Sequence, residues 1–203
     1  HISKGATVLG SKNADDFDPY EEDAANTEYQ DRSHSYFYHS LFHADSVCDI
    51  ALTGFGTIDM QSVWEVYEAC DGDPRPSWCR ACKIVAFKNC TNVKIRDLTM
   101  KNATDLAVYV AGCEDVIISG LNLTVHIDGI SPDSCKNVVI SDCIIDAGDD
   151  GITATSTLQI DDGTVNICNS YEGLEGQNII INGGHFLSTS ESQTIAGAVS
   201  AHA

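Results

Sequence analysis

A repeated pattern of short apolar segments limits what this chain can fold into more than any other feature of its sequence. Each copy opens with Asn or Asp, continues with an apolar triplet rich in β-branched residues, and closes with two small or polar residues. The five copies open at Asp49, Asn92, Asp115, Asn137 and Asn178. Repetition at intervals of 20–50 residues is typical of a solenoid. We interpret the two short intervals as single coils of about 22 residues and the two long ones as a coil with an inserted loop of about twenty.

Three short strand-like runs follow one another within each coil, and none has the periodicity of a helix. For the coils that open at Asn92 and Asp115 the predicted strands are Val93–Ile95, Leu98–Lys101, Leu106–Val110, Val116–Ile118, Leu121–Val125 and Gly129–Ser131. The sequence therefore predicts an all-β fold, a right-handed parallel β-helix with coils about 4.8 Å apart. We expect residues 1–203 to form one β-helix domain. Neither end reads as a cap, so we expect this domain to be the middle portion of a longer protein.

Cysteines recur at one position of the repeat and also lie in the inserted loops. Cys90, Cys113 and Cys135 each stand two residues before a coil opener, which predicts an internal ladder of buried thiols. The cysteines assigned to the loops are Cys70, Cys79 and Cys82, with Cys168 as an open case. Loop cysteines favour disulfides and an oxidising compartment. Cys79 and Cys82 also have the spacing of half a zinc site, but the sequence offers no convincing second half, so we expect no metal.

Aspartates recur one coil apart in the second half of the chain. Asp105, Asp128 and Asp150 stand at corresponding positions of three successive coils, and Asp149 precedes the last of them. A column of like charges is costly unless it is exposed, partly protonated or paired. Such a column therefore indicates a functional site on the outer wall of the solenoid. Two or three carboxylates held together are the minimum apparatus for cleaving a glycosidic bond.

The charge of the chain excludes some classes of partner. With 11 basic and 30 acidic residues the formal net charge is −19, which argues against nucleic acids and anionic membrane surfaces. The sequence has no apolar stretch long enough to cross a bilayer, so we expect no membrane insertion. Glycosylation sequons at Asn89, Asn102 and Asn122 fit a secreted, extracellular protein. We expect a monomer with a polysaccharide as its partner.

Two insertions are expected to border a groove. The first covers residues 60–82 and contains Trp64, Tyr67 and Trp78, and the second covers residues 156–177. Exposed aromatic rings on such a loop are suited to binding sugars. The alternative, that these rings hold the loop against the solenoid, is equally open. The polar and acidic residues 11–35 are expected to form a solvated loop.

The chain resembles glycoside hydrolase family 28, the polygalacturonase and rhamnogalacturonase group of right-handed parallel β-helices. The resemblance covers most of the chain and is carried by residues 4–11, 56–59, 128–138 and 148–150. It implies an inverting hydrolase without a cofactor, in which Asp149 is the general acid and Asp128 and Asp150 bind and activate water. Inversion needs an acid and a base about 6.5–9.5 Å apart. Crowding of carboxylates would raise the pKa of at least one of them, which favours a protonated acid.

The chain departs from the family pattern at two places. His126-Ile127-Asp128 stands where the family usually has Asn-Thr-Asp, so His126 is a candidate substrate-binding residue. Residues 190–192, Ser-Glu-Ser, occupy the place of the family's Gly-His-Gly. His185 lies nearby on an expected strand and is a second candidate for substrate binding. Asp105 is a third candidate, because of its place in the acidic column.

Three functions remain open from the sequence. The first is a secreted glycosidase acting on pectic, galacturonan-type or related polysaccharide. The second is a non-catalytic glycan-binding or structural β-helix, and the altered histidine motif is the reason to consider it. The third is a polysaccharide lyase, which would need a basic proton abstractor, and none accompanies Asp128 or Asp149. A net charge of −19 suits a polyanionic substrate poorly unless basic residues gather locally, and Lys101 and Lys136 are candidates by register. End-wise cleavage of a less charged glycan also remains open.

Overall fold

The computed structural model describes residues 1–19, 34, 36–62, 82–160, 164–169, 174–181, 185–188 and 195–201. Strands dominate this part of the chain, which also contains the short 3₁₀ helix Ala14–Asp16. Within the described residues no helix has the length and apolar character needed to cross a membrane. We number the strands β1 to β18 in chain order.

Three sheets run along the molecule. The first contains β1 (Thr7–Leu9), β4 (Thr57–Asp59), β7 (Thr99–Lys101), β10 (Asn122–Val125), β13 (Cys143–Ala147), β15 (Thr164–Asn169) and β17 (His185–Ser188). The second contains β2 (Ser40–Asp45), β5 (Lys83–Lys88), β8 (Val108–Ala111), β11 (Ile130–Asp133), β14 (Ile152–Ile160), β16 (Leu174–Ile181) and β18 (Ile195–Ala201). The third contains β3 (Ala51–Thr53), β6 (Thr91–Arg96), β9 (Glu114–Ser119) and β12 (Lys136–Ser141).

Every strand pairs in parallel with the strand that occupies the same place one coil away. In the second sheet Val108 pairs with Ile130, and Ile130 pairs with Ile152. Stacked parallel strands joined by crossovers through two other sheets define a parallel β-helix, so the predicted fold class is confirmed. The predicted strand Val93–Ile95 lies within β6, and the other five predicted strands overlap observed ones.

Left-handed backbone conformations explain why the coil openers are Asn and Asp. Asp49, Asn92, Asp115 and Asn137 have φ angles of 58°, 53°, 57° and 54°. Asn and Asp tolerate this region better than other residues with a side chain. The side chains also bind one another between coils, because Asn92 Nδ2 donates to Asp49 Oδ1 at 2.5 Å and Asn137 Nδ2 donates to Asp115 Oδ1 at 2.9 Å. Each opener therefore makes the turn and links neighbouring coils.

Inward-facing residues stack into a continuous apolar core. Val93, Val116 and Val138 pair across successive strands of the third sheet and are fully buried. Burial of each such side chain contributes about 1.5–3 kcal/mol relative to exposure. A coil on its own would leave these faces in water, so each coil is stable only against its neighbours.

The predicted thiol ladder is confirmed. Cys90, Cys113 and Cys135 are buried, and the Cys90 backbone N–H donates to Cys113 Sγ at 3.3 Å. These three cysteines are free thiols, as are Cys48 and Cys143. Cys70, Cys79 and the side chain of Cys168 lie outside the described residues. Disulfides between loop cysteines therefore stay a prediction.

One of the two predicted insertions is wrong, and most of the other lies outside the described residues. Phe42 on β2 pairs directly with Val85 on β5, so the chain between these two strands is longer than one coil. Met60 and Cys82, at the two ends of the predicted loop, are fully buried in the core, so Cys82 is not a loop cysteine. Residues 63–81, with Trp64, Tyr67 and Trp78, lie outside the described residues, as does most of the predicted loop 11–35.

Residues 156–177 do not form an inserted loop. They include the end of β14, all of β15 and the beginning of β16, and Thr157 pairs with Asn178. The long interval between Asn137 and Asn178 therefore contains a further coil. The sequence pattern permits this, because Leu158 and Ile160 alternate with polar residues at the period of a strand.

Candidate active site

The turns that enter the second sheet position two of the predicted catalytic acids. Asp128 stands two residues before β11, and Asp150 stands two residues before β14. The Gly129 N–H donates to the Asp150 carbonyl oxygen at 2.9 Å, so the two turns are hydrogen-bonded one above the other. The repeat of the chain therefore brings carboxylates from separate coils to one place.

Glycines beside the acids hold these turns close to their neighbours. A Cβ added to Gly129 would lie 2.6 Å from both the Gly151 carbonyl oxygen and Cγ2 of Ile145 in the core. A Cβ added to Gly148 would clash with the His126 carbonyl oxygen. Glycine permits this close approach of two backbones. Both glycines therefore bring the acid-bearing turns into contact.

The three predicted catalytic carboxylates form one cluster. One side-chain oxygen from each of Asp128, Asp149 and Asp150 lies within 4.8 Å of the others. The Asp150 N–H donates to Asp128 Oδ1 at 3.1 Å. Asp128 and Asp150 are 4% and 7% exposed, whereas Asp149 is half-buried. Asp149 is therefore the member of the cluster that reaches solvent most.

The acidic cluster also sets limits on metal binding. Within the described part of the chain these three residues are the one group of His, Cys, Asp or Glu side chains with spacing suited to a metal ion. Carboxylate oxygens suit hard cations, but Ca²⁺ requires 6–8 oxygen ligands. Three acids would supply only part of that coordination.

Asp105 does not belong to the acidic column, and its predicted place there is wrong. Because Val108 pairs with Ile130, the residue one coil before Asp128 is Leu106, and Asp105 is one residue out of register. Asp105 has no exposed surface. Its Oδ2 lies 2.9 Å from Nζ of Lys83 and accepts a hydrogen bond from the Tyr36 hydroxyl. Asp105 is therefore a structural ion-pair partner, and substrate cannot reach it.

Two residues near the site were missed by sequence reasoning. Because Val85 pairs with Val108, Lys83 corresponds to Leu106 and not to Asp105, so a comparison of corresponding positions would not have found this ion pair. Tyr36 lies 69 residues from Asp105 in a segment outside the repeat, and no sequence signal joins the two.

His126 lies two residues before Asp128, and its side chain contacts Ser62. Its Nε2 is 3.0 Å from the Ser62 hydroxyl oxygen, and it is partly buried. Burial lowers the pKa of the imidazole, so the neutral form is favoured near neutral pH. Neutral His can donate to or accept from a sugar hydroxyl, and its role in substrate binding stays a prediction.

The other residues predicted to bind substrate do not belong to the cluster of three carboxylates. His185 is the first residue of β17 and pairs with Thr164, and its predicted role in substrate binding is untested. Residues 190–192 lie outside the described residues. Lys101 Nζ is 3.1 Å from Asp59 Oδ2, so its charge is already paired, and Lys136 is exposed on β12 in the third sheet.

Comparison with known proteins identifies the family. The family model described as glycosyl hydrolases family 28 matches residues 21–190. This chain therefore belongs to glycosyl hydrolases family 28. The resemblance noted in its sequence motifs is confirmed.

Individual relatives agree with this assignment. Polygalacturonase-2 of Solanum lycopersicum is 28% identical over 147 residues, which cover 64% of this chain and 30% of that protein. An exopolygalacturonase from Thermotoga maritima superposes with a TM-score of 0.64 at 18% identity, covering 92% of this chain and 52% of the other. A family 28 exopolygalacturonase from Yersinia enterocolitica gives 0.62 at 18% identity, with coverage of 97% and 47%. The structural likenesses show the shared β-helix fold. The chain spans less than a third of the tomato relative's length.

Proposed function

We propose that this chain is the acid-bearing part of a glycoside hydrolase that cleaves galacturonan-type pectin or a related polysaccharide. Membership of family 28 and similarity to a polygalacturonase support the substrate class. The observation that carries the proposal is the cluster of Asp128, Asp149 and Asp150, with oxygens within 4.8 Å of one another. Carboxylates gathered in this way can divide the roles of acid and base.

Asp149 is the proposed general acid, because the family resemblance gives it that role and it is the most exposed of the three carboxylates. Asp128 and Asp150 hold a water molecule, and one of them accepts its proton as the water oxygen bonds to the anomeric carbon. The bond from that carbon to the leaving oxygen breaks, and the leaving oxygen takes the proton of Asp149. The anomeric configuration is inverted by this single displacement.

The distance between the two reacting carboxylates differs between inverting and retaining glycosidases, so the anomeric configuration of the product has to be measured. Inverting enzymes usually hold their two carboxyl groups about 6.5–9.5 Å apart, and retaining enzymes about 5–5.5 Å apart. Here the nearest oxygens of the cluster are within 4.8 Å. Inversion is proposed from the resemblance to family 28, and the anomer formed first decides it.

Secretion belongs to the same proposal. Asn89 and Asn122 begin glycosylation sequons and are exposed, so each offers an accessible acceptor. The third sequon differs, because Asn102 Nδ2 donates to Asp59 Oδ1 at 2.8 Å. Glycans on the first two sites, detected as a mass loss after deglycosylation, would support passage through a secretory pathway.

The test measures reducing-end release from polygalacturonate and a panel of related glycans by the full-length protein. Asp149→Asn is expected to lower the rate by about 10²–10⁴-fold, the usual contribution of a general acid. Asp142→Asn is the matched control, because Asp142 is exposed and its φ of 54° suits Asn equally well. Proton NMR of the first product is expected to show the inverted anomer. Full activity in Asp149→Asn would remove the proposed mechanism.

A further inference from the structure

The His126 side chain connects the turn that carries Asp128 to a coil two places earlier. β4, β7 and β10 are consecutive strands of the first sheet, and Ser62 follows β4 while His126 follows β10. The His126 N–H donates to the Ala103 carbonyl oxygen of the coil between them at 3.1 Å. Its Nε2 lies 3.0 Å from the Ser62 hydroxyl oxygen, so the side chain crosses that intervening coil. Because backbone pairing in a solenoid joins only neighbouring coils, this contact is a constraint that the repeat does not supply.

The Ser62 end of this contact is itself held by the solenoid. The Ser62 N–H donates to the Asn102 carbonyl oxygen at 3.2 Å. The Asn102 side chain donates to Asp59 Oδ1 at 2.8 Å, and the Gln61 N–H donates to the same oxygen at 2.8 Å. Asp59 is the last residue of β4, so these bonds fix the chain just after the strand ends. The hydroxyl that contacts His126 is therefore attached to an ordered part of the fold.

The backbone at the His126 end contacts the turn that carries the proposed general acid. The Asp149 N–H donates to the Ile127 carbonyl oxygen at 3.4 Å. A Cβ added to Gly148 would lie 2.2 Å from the His126 carbonyl oxygen, so the two backbones are in direct contact and position 148 has no room for a side chain. A shift of residues 126–128 would therefore change where Asp149 stands relative to Asp128.

We propose that His126 is a positioning residue, which acts through its contact with Ser62 to hold the turn of Asp128 where the three acids can react. This inference rests on the proposed function. A misplacement of about 1 Å can lower the rate of an enzyme by about 10²-fold, so a contact that fixes this turn affects kcat. A residue that only binds substrate affects KM instead. Kinetics therefore separate positioning from the substrate-binding role that the sequence predicts for His126.

The experiment measures reducing-end release from polygalacturonate by the full-length protein over a range of substrate concentrations, so that kcat and KM are obtained separately. Ser62→Ala is expected to lower kcat by about three- to tenfold with KM unchanged, the effect of losing one neutral hydrogen bond. His126→Ala should lower kcat at least as far, and adding Ser62→Ala to it should lower kcat no further. His126→Gln should restore most of kcat, because its amide offers both a donor and an acceptor to the hydroxyl.

Two serines away from the acids provide matched controls. Ser119→Ala removes a contact of the same length between neighbouring coils, because the Ser119 hydroxyl accepts from Arg96 Nε at 3.0 Å. Ser46→Ala makes the same substitution in a left-handed backbone, since φ is 57° at Ser46 and 50° at Ser62. Both controls are expected to keep the kcat of the unaltered protein. Thermal unfolding of every variant allows rates to be expressed per folded molecule.

Each outcome decides something distinct. A raised KM with unchanged kcat in His126→Ala, together with unaltered kinetics in Ser62→Ala, shows substrate binding and overturns the inference while the proposed function stands. Equal losses of kcat in Ser62→Ala and the two controls overturn it as well. No reducing ends from any galacturonan with the unaltered protein overturns the proposed function and this inference with it. If His126→Ala does not fold, the comparison of Ser62→Ala with its controls is itself decisive.

Discussion

Two turns of the same solenoid carry an aspartate at nearly the same position and use it in opposite ways. The turn before β8 places Asp105 against Lys83 and Tyr36, in an ion pair with no exposed surface. The turn before β11 places Asp128 against two further carboxylates, one of them half-buried. The first arrangement joins opposite charges, and the second gathers like charges. The charged neighbours in the adjacent coils therefore decide whether an aspartate of the repeat stabilises the fold or belongs to the candidate active site.

A shift of one residue contributes to that difference. Leu106, and not Asp105, corresponds to Asp128 in the pairing of β8 with β11. Like charges crowded in a site of limited exposure are retained at an energetic cost, whereas a buried pair of opposite charges is compensated. The electrostatic repulsion tolerated around Asp128 indicates a functional site. The ion pair that neutralises Asp105 indicates a structural role.

The largest expected effect comes from exchanging the carboxylates of these two turns for amides. Asp128→Asn keeps an oxygen to accept from the Asp150 N–H, so the fold should survive while kcat falls by about 10²–10⁴-fold. Asp105→Asn leaves the Lys83 charge buried, and should reduce stability by about 3–5 kcal/mol while changing the rate per folded molecule on a short oligosaccharide less than about tenfold. Thermal unfolding and initial rates separate the two. A loss of stability in Asp128→Asn together with a loss of rate in Asp105→Asn would contradict the roles assigned to these two turns.

Removing the cation should expose the difference between a buried and a surface ion pair. Lys83→Met leaves Asp105 charged without its counterion, and the free energy of unfolding should fall by about 3–5 kcal/mol. Lys88→Met on the same strand is the control, because its pair with Asp45 is 3.7 Å long and well exposed, and such pairs contribute about 0–1 kcal/mol. The double variant Lys83→Met, Asp105→Asn should recover most of the loss. Equal losses in the two single variants would contradict the assignment.

The smallest effect is expected at Asp59, an acid that is paired but partly exposed. Burial tends to raise its pKa, but hydrogen bonds from Asn102, the Gln61 N–H and Lys101, with the charge of Lys101, outweigh this and lower the pKa below its ordinary value. The ionised form therefore stabilises the fold above the unfolded pKa, and this contribution is lost as pH falls through the folded pKa.

Asp59→Asn should therefore cost about 1–2 kcal/mol at neutral pH, because the amide oxygen still accepts hydrogen bonds but carries no charge. Denaturant unfolding of both proteins between about pH 7 and about pH 3 checks this, and the difference should shrink toward the acid end. A difference independent of pH would show that the charge of Asp59 contributes nothing.

Much of the fold followed from the repeat. Strands such as Val93–Ile95, the left-handed openers such as Asn92 and the thiol ladder at Cys113 could be predicted, because residues one coil apart in sequence become direct neighbours. The extra coil within residues 156–177 was missed, since its segments lack an Asn or Asp opener. A pattern search finds only the coils that share the pattern.

The candidate site was predictable to the same degree. Asp128, Asp149 and Asp150 come together because the chain brings consecutive turns into register. The division of acid and base among them stays a prediction, and so do the substrate-binding roles of His126 and His185. Asp105 was misplaced because a spacing of about one coil does not reveal a one-residue change of register.

The amino-acid sequence alone determined the parallel β-helix, the inward and outward faces of its strands, and the meeting of three acids from two coils. The reason is that residues one coil apart in the sequence of a solenoid lie side by side in neighbouring coils. Only the tertiary structure decided that Asp105 pairs with Lys83 and that Tyr36 and Phe37 lie over β8. Tyr36 and Phe37 belong to a segment outside the repeat, and Lys83 is one residue out of register with Asp105, so these contacts depend on packing and charge rather than on periodicity.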